Sequence, residues 1–428
     1  MGGTFPFDVS GRTMFWASLF IGSVAGCDAA EKTELIPVLS IEQGRRIGNV
    51  DDPTVGFSRI GGMEVDRDGN LFVYEAAIPE IRVYSPDGAV LRRIGRRGSG
   101  PGEFESPGAF GLVGDTIWVV EPTSRRLTLF DRSGELLAAN RFEPVVVLLP
   151  EAHGMVIPRS LRPDGRFGSF LSGFQFSRDM PPTGVEPDDS IPVPIVLFDI
   201  SGSVADTIGW MDRPPPRMWR RPQEDDSEWE TLDFAGRRVV VPTPPPTLPT
   251  WFPLQDGFIE VDASYANSVE DAEFHVRRIG LRHDTIWDRV IPYQPTPYSA
   301  AELDALAESA AKGQGGGVFS YPAGMAPAVP DDWQAALPRV RAAMNFPEFQ
   351  LPVQDVWVAQ NESVWIRMRD RASGGASWLI LNSDGTPKGE VELPPNARPV
   401  WNREDTFWSI VPDELGVPWL VEYRIVEG

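Results

Sequence analysis

Short apolar runs recur along most of the chain, and turn residues separate each run from the next. Four turns share one pattern, in which a β-rich run precedes a five-residue segment ending in glycine and a second run follows. These segments are 84–88, 130–134, 198–202 and 381–385. Two apolar runs joined by such a turn predict a β-hairpin, because glycine readily adopts positive φ.

A second kind of hairpin precedes several of these turns. In residues 63–74 the turn holds Asp68 and Gly69, and shorter versions lie at Asp115 and at Asn361-Glu362. Two hairpins per repeat give four strands per repeat. Gly88 and Gly134 are 46 residues apart, close to the repeat of about 40–50 residues that is typical of propeller blades.

The later spacings predict an insertion and one further blade. Gly134 and Gly202 are 68 residues apart, and Gly202 and Gly385 are 183 apart. The 183-residue interval has room for one further blade, predicted at 254–291 with 274–279 and 285–290 as its outer hairpin. Residues 399–426 form one more, incomplete unit.

The segment 34–47 reads as a strand without a blade of its own. Added to the last unit, it would close the ring and remove the free edges of an open sheet. The predicted fold is all-β: a six-bladed β-propeller over residues 34–428, closed by an N-terminal strand. Counting repeats leaves seven blades as the alternative.

The segment between the first two repeat units indicates which kind of β-propeller the chain resembles. Gly98-Ser99-Gly100-Pro101-Gly102-Glu103-Phe104, followed by Pro107, is similar to the linker between blades of NHL-repeat proteins. Residues 348–352 resemble its Glu-Phe-x-x-Pro part. The chain therefore resembles the six-bladed NHL-repeat and TolB-like propellers of bacterial lipoproteins.

Two stretches depart from the repeat. Residues 211–250 are rich in proline and charge, which is typical of polyproline II and long surface loops, with a docking motif as the alternative. In residues 299–345, Ser299 and Glu302 form a capping box before a helical run to Lys312. A second helical piece, 331–344, is interrupted by Pro338. We expect these short helices to form a lid or brace on one face.

An apolar run at 13–26 follows Arg12 and ends at the only cysteine, Cys27. It is shorter than the roughly 20 residues that span a bilayer, so it is interpreted as a signal peptide outside the fold. An ordinary secretory peptide is the alternative to the more specific interpretation that follows.

The residues before Cys27 resemble the lipobox of bacterial lipoproteins; they are Val24, Ala25 and Gly26. The resemblance implies that residues 1–26 are removed, that Cys27 carries the lipid, and that 27–33 form a tether. Multiple acyl chains would anchor the protein firmly to a membrane. We therefore expect a lipoprotein of the bacterial cell envelope, facing the periplasm or the exterior.

The chain is acidic, with a formal net charge of −22. Such a charge argues against nucleic acid as a partner, because phosphate binding needs a basic surface. With one cysteine, the chain has neither a disulfide framework nor a cysteine-rich metal site.

The sequence offers little catalytic chemistry. The three histidines, His153, His275 and His283, lack the further ligands of a zinc site. Asp66-x-Asp68-Gly69 resembles part of a calcium loop, but its twelfth position is Ala77, so a type I′ hairpin turn is favoured. No nucleophile elbow, phosphate loop or dinucleotide motif is present. We predict no catalytic residue, no metal site and no cofactor.

Tryptophans in predicted strands are assigned to packing between blades; they are Trp118, Trp287, Trp357, Trp365, Trp378 and Trp408. Three others lie in predicted loops and could form a recognition patch: Trp210, Trp219 and Trp229.

The functional hypothesis is a membrane-tethered module that binds an envelope protein or a small-molecule ligand. The alternative is a propeller hydrolase or lyase with a metal or carboxylate centre in the axial funnel. It requires the first strands to direct acidic and histidine side chains at a common axis.

Overall fold

The computed structural model describes residues 36–49, 52, 55–148, 153–175, 191–213, 231–234, 237–242, 244–245, 250–254, 256–282, 284–313, 329–369 and 376–426. The chain divides into two units, Met1–Leu35 and Ile36–Gly428. The predicted signal peptide, lipobox and tether belong to the first unit and lie outside the described residues. All that follows concerns the second.

Six antiparallel sheets form the six blades of a β-propeller. Blade 1 contains β2 (Ile60–Val65), β3 (Leu71–Glu75), β4 (Glu80–Tyr84) and β5 (Val90–Ile94). Blade 2 contains β6 (Ala109–Val113), β7 (Thr116–Glu121), β8 (Arg126–Asp131) and β9 (Leu136–Arg141). Blade 3 contains β10 (Val145–Leu148), β11 (His153–Leu161), β12 (Phe167–Gln175), β13 (Ile191–Phe198) and β14 (Val204–Arg213).

The second half of the ring repeats this order. Blade 4 contains β17 (Thr250–Pro253), β18 (Gly257–Asp262), β19 (Glu273–Gly280) and β20 (Thr285–Pro292). Blade 5 contains β21 (Val353–Val358), β22 (Val364–Met368), β23 (Ala376–Leu381) and β24 (Pro387–Leu393). Blade 6 contains β25 (Arg398–Arg403), β26 (Thr406–Pro412), β27 (Pro418–Val426) and β1 (Ser40–Ile47).

The N-terminal strand closes the ring, as predicted. β1 pairs antiparallel with β27, from Ser40 opposite Val426 to Ile47 opposite Leu420, and is the outermost strand of blade 6. The segment before it crosses the outer strand of blade 5, where Leu39 N–H donates to Glu390 O. Strand β1 thus shares one blade with the last three strands, β25 to β27, and the ring has six blades, not seven.

Blade 3 accounts for the long spacing before Gly202. It has an additional strand, β10, which pairs with β11 on the side away from β12. Strands β12 and β13 pair at only two positions, Phe167 with Phe198 and Gly168 with Leu197. This blade is therefore split between its second and third regular strands.

The recurrent turns follow one geometry. In the turn at Asp66, Gly69 N–H donates to Asp66 O and Asp66 N–H to Asn70 O. Gly69 has φ of +83°, and Asp68 is not among the residues of positive φ. The predicted type I′ turn is therefore wrong, because that turn needs positive φ at both central residues. A single left-handed glycine closes this hairpin.

Apolar side chains fill the spaces between neighbouring blades. Buried clusters join blades 1 and 2, blades 2 and 3, blades 4 and 5, blades 5 and 6, and blades 6 and 1. The predicted packing tryptophans Trp118, Trp365, Trp378 and Trp408 belong to these clusters, and Trp287 and Trp357 pack against them. Within the described ranges, no such cluster joins blades 3 and 4.

The NHL-like segment is a linker between blades 1 and 2, held by a buried ion pair. Arg126 donates to Glu121 Oε2 at 2.7 Å and, through its other nitrogens, to the backbone oxygens of Ser99 and Glu103, each at 2.7 Å. Glu121 also accepts the N–H of Glu105 at 2.7 Å. A charged pair thus replaces the backbone partners that the irregular linker lacks.

The two insertions meet in one small unit. Helix α1 (Ala300–Ala311) starts at the predicted capping box, with Ser299 as its N-cap. Helix α2 (Trp333–Ala343) continues through Pro338, which was expected to interrupt it. Between residues 211 and 250, predicted as irregular loop, the structure has a hairpin of β15 (Thr231–Phe234) and β16 (Arg237–Val240). Hairpin and helices share a buried apolar cluster.

Candidate functional site

The innermost regular strands of the blades surround the ring axis, as in other propellers with a central channel. β2 contacts β6 on one side and β25 on the other, and β6 contacts β11. We call the end with the first-to-second and third-to-fourth strand turns, such as 66–70 and 85–89, the turn face. The other end, which holds the linkers between blades, such as 95–108, is the linker face.

Glu64 lies near the turn-face end of β2 and carries a carboxyl group at this axis. Its Oε2 accepts a hydrogen bond from Nε2 of Gln360, which belongs to the β21–β22 turn of blade 5. The contact links blades 1 and 5, which are not neighbours in the ring. The two residues are 296 positions apart in the chain.

Burial raises the pKa of Glu64 to about 8, and the hydrogen bond from Gln360 opposes this rise only in part. The side chain is partly exposed, yet the surrounding strands replace much of the water that would solvate a charge. The two causes of this pKa are burial and the amide of Gln360, and neither is a cation. Glu64 is therefore largely protonated at neutral pH.

Asn402 extends the polar group into blade 6. Its side chain lies on β25, is 7% exposed, and donates through Nδ2 to Asn361 Oδ1 and Ser363 Oγ, each at 3.3 Å. Ser363 Oγ also accepts the indole N–H of Trp365 at 3.1 Å. The Oδ1 atom of Asn402 is buried and receives no hydrogen bond from the described residues.

Glu64 and Asn402 hold equivalent positions in adjacent blades. Glu64 pairs with Phe72 and Asn402 with Phe407, in each case one residue before the last pair of the first hairpin. Both side chains bond to the same turn of blade 5. We call Glu64, Gln360, Asn361, Ser363 and Asn402 the axial cluster; it joins blades 1, 5 and 6 at the turn face.

Within the described ranges, Glu64 is the acidic first-strand side chain whose contact with a non-neighbouring blade places it at the axis, as the enzymatic alternative requires. No group of three or more His, Cys, Asp or Glu side chains within the described ranges has a metal-binding arrangement. His275 bonds to Asp288 Oδ1 at 3.0 Å on the neighbouring strand of blade 4. Residue 153 starts β11, with its side chain outside the description, and residue 283 lies outside altogether.

The other candidate residues have structural positions. Asp66 Oδ1 accepts the N–H groups of Asp68 and Asn70, each at 2.9 Å, so it serves the hairpin turn. Trp210 is 52% exposed on β14, whereas residues 219 and 229 lie outside the described ranges. The proposed tryptophan patch therefore has one described member.

Sequence reasoning missed Glu64, Gln360 and Asn402. A charged residue inside an otherwise apolar strand, Gly62-Met63-Glu64-Val65, was the available signal for the first of these. Nothing local marks Gln360 or Asn402, because their role comes from blades that meet only in the closed ring.

No helix within the described ranges has the length and apolar character needed to cross a bilayer. No protein-family model and no curated protein matches the chain.

Solved structures of low identity resemble it. A member of the DUF4221 family from Bacteroides vulgatus is 9% identical with a TM-score of 0.42, over 91% of this chain and 99% of the other. Regucalcin, a calcium-binding protein from Agrobacterium tumefaciens, is 11% identical with a TM-score of 0.36, over 92% and 98%. Virginiamycin B lyase from Staphylococcus aureus is 10% identical with a TM-score of 0.34, over 90% and 100%. Values this low carry no conclusion about function.

Proposed function

We propose that the protein is a binding module held at a bacterial membrane by lipid on Cys27, outside the cytoplasm, and that it takes a small-molecule ligand at the axial cluster. The observation that carries the binding role is the convergence of three blades on one polar group. One atom of that group, Asn402 Oδ1, is buried and has no hydrogen-bond partner among the residues that the structure describes. Buried acceptors are almost always satisfied, so a ligand or water donor is expected there.

The location rests on the sequence. Val24, Ala25 and Gly26 before Cys27 support lipidation, and the linker 98–104 supports an NHL- or TolB-like lineage among envelope lipoproteins. The alternative within this proposal is that the module binds an envelope protein. The exposed side chain of Trp210 supports that alternative.

The anchor is tested by Cys27→Ser. Without the acyl chains the variant should leave the membrane fraction and appear in the soluble extracytoplasmic fraction, because lipid is then the only expected tie to the bilayer. Fractionation with immunodetection measures this. Unchanged membrane partitioning of the variant would contradict the lipid anchor.

The binding role is tested by what the native protein carries. Wild type and Glu64→Gln would be purified in parallel from their own membranes, and small molecules released on denaturation compared by mass spectrometry. A compound present with wild type and reduced at least tenfold in the variant supports ligand binding at the axial cluster. Equal recovery from both proteins, or none from either, counts against it.

The enzymatic alternative keeps one supporting observation. A carboxylic acid whose pKa is near 8 can donate a proton at neutral pH, as a general acid must. Against this role, the described residues give Glu64 one hydrogen-bond partner, the amide of Gln360. Conversion of the recovered compound by wild type but not by Glu64→Gln would favour the enzyme.

A further inference from the structure

The axial cluster has acceptors that the described residues leave open once Glu64 is ionised. Nε2 of Gln360 donates to Glu64, and Nδ2 of Asn402 donates to Asn361 and Ser363. Asn402 Oδ1 has no donor, and Oε1 of Glu64 accepts none from the described residues. A ligand that presents hydrogen-bond donors would complement these open acceptors.

The electrical surroundings favour a positively charged donor. The cluster holds one carboxyl group and otherwise neutral amides and a hydroxyl, and no described cation pairs with Glu64. The whole chain has a formal net charge of −22, which raises the local concentration of cations around it. A cation at Glu64 would restore the interaction energy that burial removes from the carboxylate.

The solvent-exposed members of the axial cluster lie at the turn face. Gln360 and Asn361 are exposed, Glu64 is partly exposed, and Ser363 and Asn402 are buried. Solvent therefore reaches the two exposed amides and, in part, the carboxyl group. The nearby Arg403 lies over the ring of Trp401, 5.2 Å from its centroid, on the same strand as Asn402.

We propose that the axial cluster binds a primary ammonium group, with Glu64 as its counter-ion and Asn402 Oδ1 as a second acceptor. The ligand class is then a small organic amine. This inference rests on the proposed binding function and adds the chemistry of the ligand. Its N–H groups satisfy the two open acceptors, and its charge is matched by the ionised carboxylate.

Three probes of similar size separate charge from donor capacity. n-Butylammonium has both, butyltrimethylammonium has the charge without an N–H donor, and n-butanol has a donor without the charge. Ligand-observed saturation-transfer NMR on the full chain gives Kd for each by titration. The indole N–H of Trp365, which bonds to Ser363 in the cluster, reports from the protein side.

The expected result is that n-butylammonium binds at least tenfold more tightly than either other probe. Glu64→Gln, which keeps the shape of the side chain, should weaken n-butylammonium binding at least tenfold. Glu135→Gln, an exposed turn-face residue in the outer hairpin of blade 2, should not. Affinity should rise between pH 6 and pH 9, since Glu64 ionises there while an alkylammonium group stays charged. Asn402→Asp, which adds a second negative acceptor, should bind more tightly.

Several outcomes would overturn the proposal. They are equal affinity for n-butanol, equal affinity for butyltrimethylammonium, unchanged binding in Glu64→Gln, or displacement of the amine by equimolar Ca²⁺ or Na⁺, which would indicate a metal site. Native protein could instead release a compound that has no amine and is lost in Glu64→Gln. That result would contradict the ammonium proposal and still support the binding function. Turnover of the bound amine would instead contradict the binding function.

Discussion

The closed ring surrounds the Glu64 carboxyl group with protein, and its hydrogen-bond partner there is the neutral amide of Gln360. The same residue type in a hairpin turn would be solvated and ionised. The raised pKa of Glu64 therefore comes from its position in the ring. Burial also has a cost, since a native state that disfavours the ionised form loses stability wherever the unfolded chain would be ionised.

Glu64→Gln should therefore stabilise the protein at alkaline pH. The folded pKa of about 8 exceeds the usual value near 4.5, so stability of the wild type falls as pH rises between these two values. We expect the variant to gain about 1–2 kcal/mol over wild type at pH 8, less than the full shift would give because the side chain is partly exposed, and little at pH 4. Urea unfolding at both pH values measures this; an equal difference at both would show that no shifted carboxyl is involved.

Asp66 shows the opposite behaviour. Burial by itself would raise its pKa, but hydrogen bonds from Asn70 and Asp68 and the charge of Arg132 together lower it. A lowered folded pKa adds stability that is present above the unfolded value near 3.9 and lost as pH falls through the folded one.

Asp66→Asn should cost about 1–3 kcal/mol at pH 7, because an amide cannot accept all of these bonds, and less at pH 3. Asp68→Asn is the matched control: its carboxylate is 59% exposed and bonds to the same Arg132. A loss for Asp68→Asn as large as that for Asp66→Asn would assign the effect to Arg132 alone.

Strand β1 is the element that closes the ring. Its eight residues complete a blade whose other three strands end the chain. Ile47 is 5% exposed and packs in the cluster between blades 6 and 1. Closure by one strand joins the two ends of the ring noncovalently.

Ile47→Ala should destabilise the protein by about 2–4 kcal/mol, since it leaves a cavity in that cluster. Val38→Ala, two residues before β1 and 79% exposed, should change stability by less than about 0.5 kcal/mol. Denaturant unfolding of both variants compares them. Similar small effects would mean that β1 contributes little to closure.

The element boundaries show which local signals suffice. The capping box at Ser299 predicted the start of α1, and the apolar runs on either side of residues 280–284 predicted β19 and β20. Hairpin β15–β16 was missed, because its strands are four residues long and their apolar side chains pack on helices about 70–100 residues later in the chain. Such a short hairpin is stable only with that support.

On the scale of the whole molecule, the ring is not uniform. Within the described ranges, buried apolar clusters lie at five of the boundaries between blades. One face of blade 4 packs its apolar side chains against blade 5, and the opposite face carries charged side chains. Arg277 there bonds to Glu260 at 2.8 Å and to Asp288 at 3.1 Å. Ion pairs that remain partly solvated contribute less than apolar burial. Strands β12 and β13 also pair at only two positions, so few ladder hydrogen bonds join the outer hairpin of blade 3 to the rest of its sheet.

Amide hydrogen exchange should follow this difference. We expect the amides of β13 and β14 to exchange faster than those of β3 and β4, whose strands are almost fully buried in blade 1. Exchange measured by mass spectrometry on peptides from the intact chain makes the comparison. Equal protection of the two hairpins would show that blade 3 is held as firmly as blade 1.

The sequence by itself determined the repeating unit, the closing strand and the capped helix. Each depends on residues close together in the chain: glycine at one turn position, alternating apolar runs, or a serine three residues before a glutamate. Only the tertiary structure decided the blade count, the hairpin packed on the helices and the axial cluster. Glu64 and Gln360 meet across 296 residues, and the pKa of Glu64 depends on the atoms that the closed ring places around it. Desolvation and hydrogen bonding act through space, so a pattern along the chain does not encode them locally.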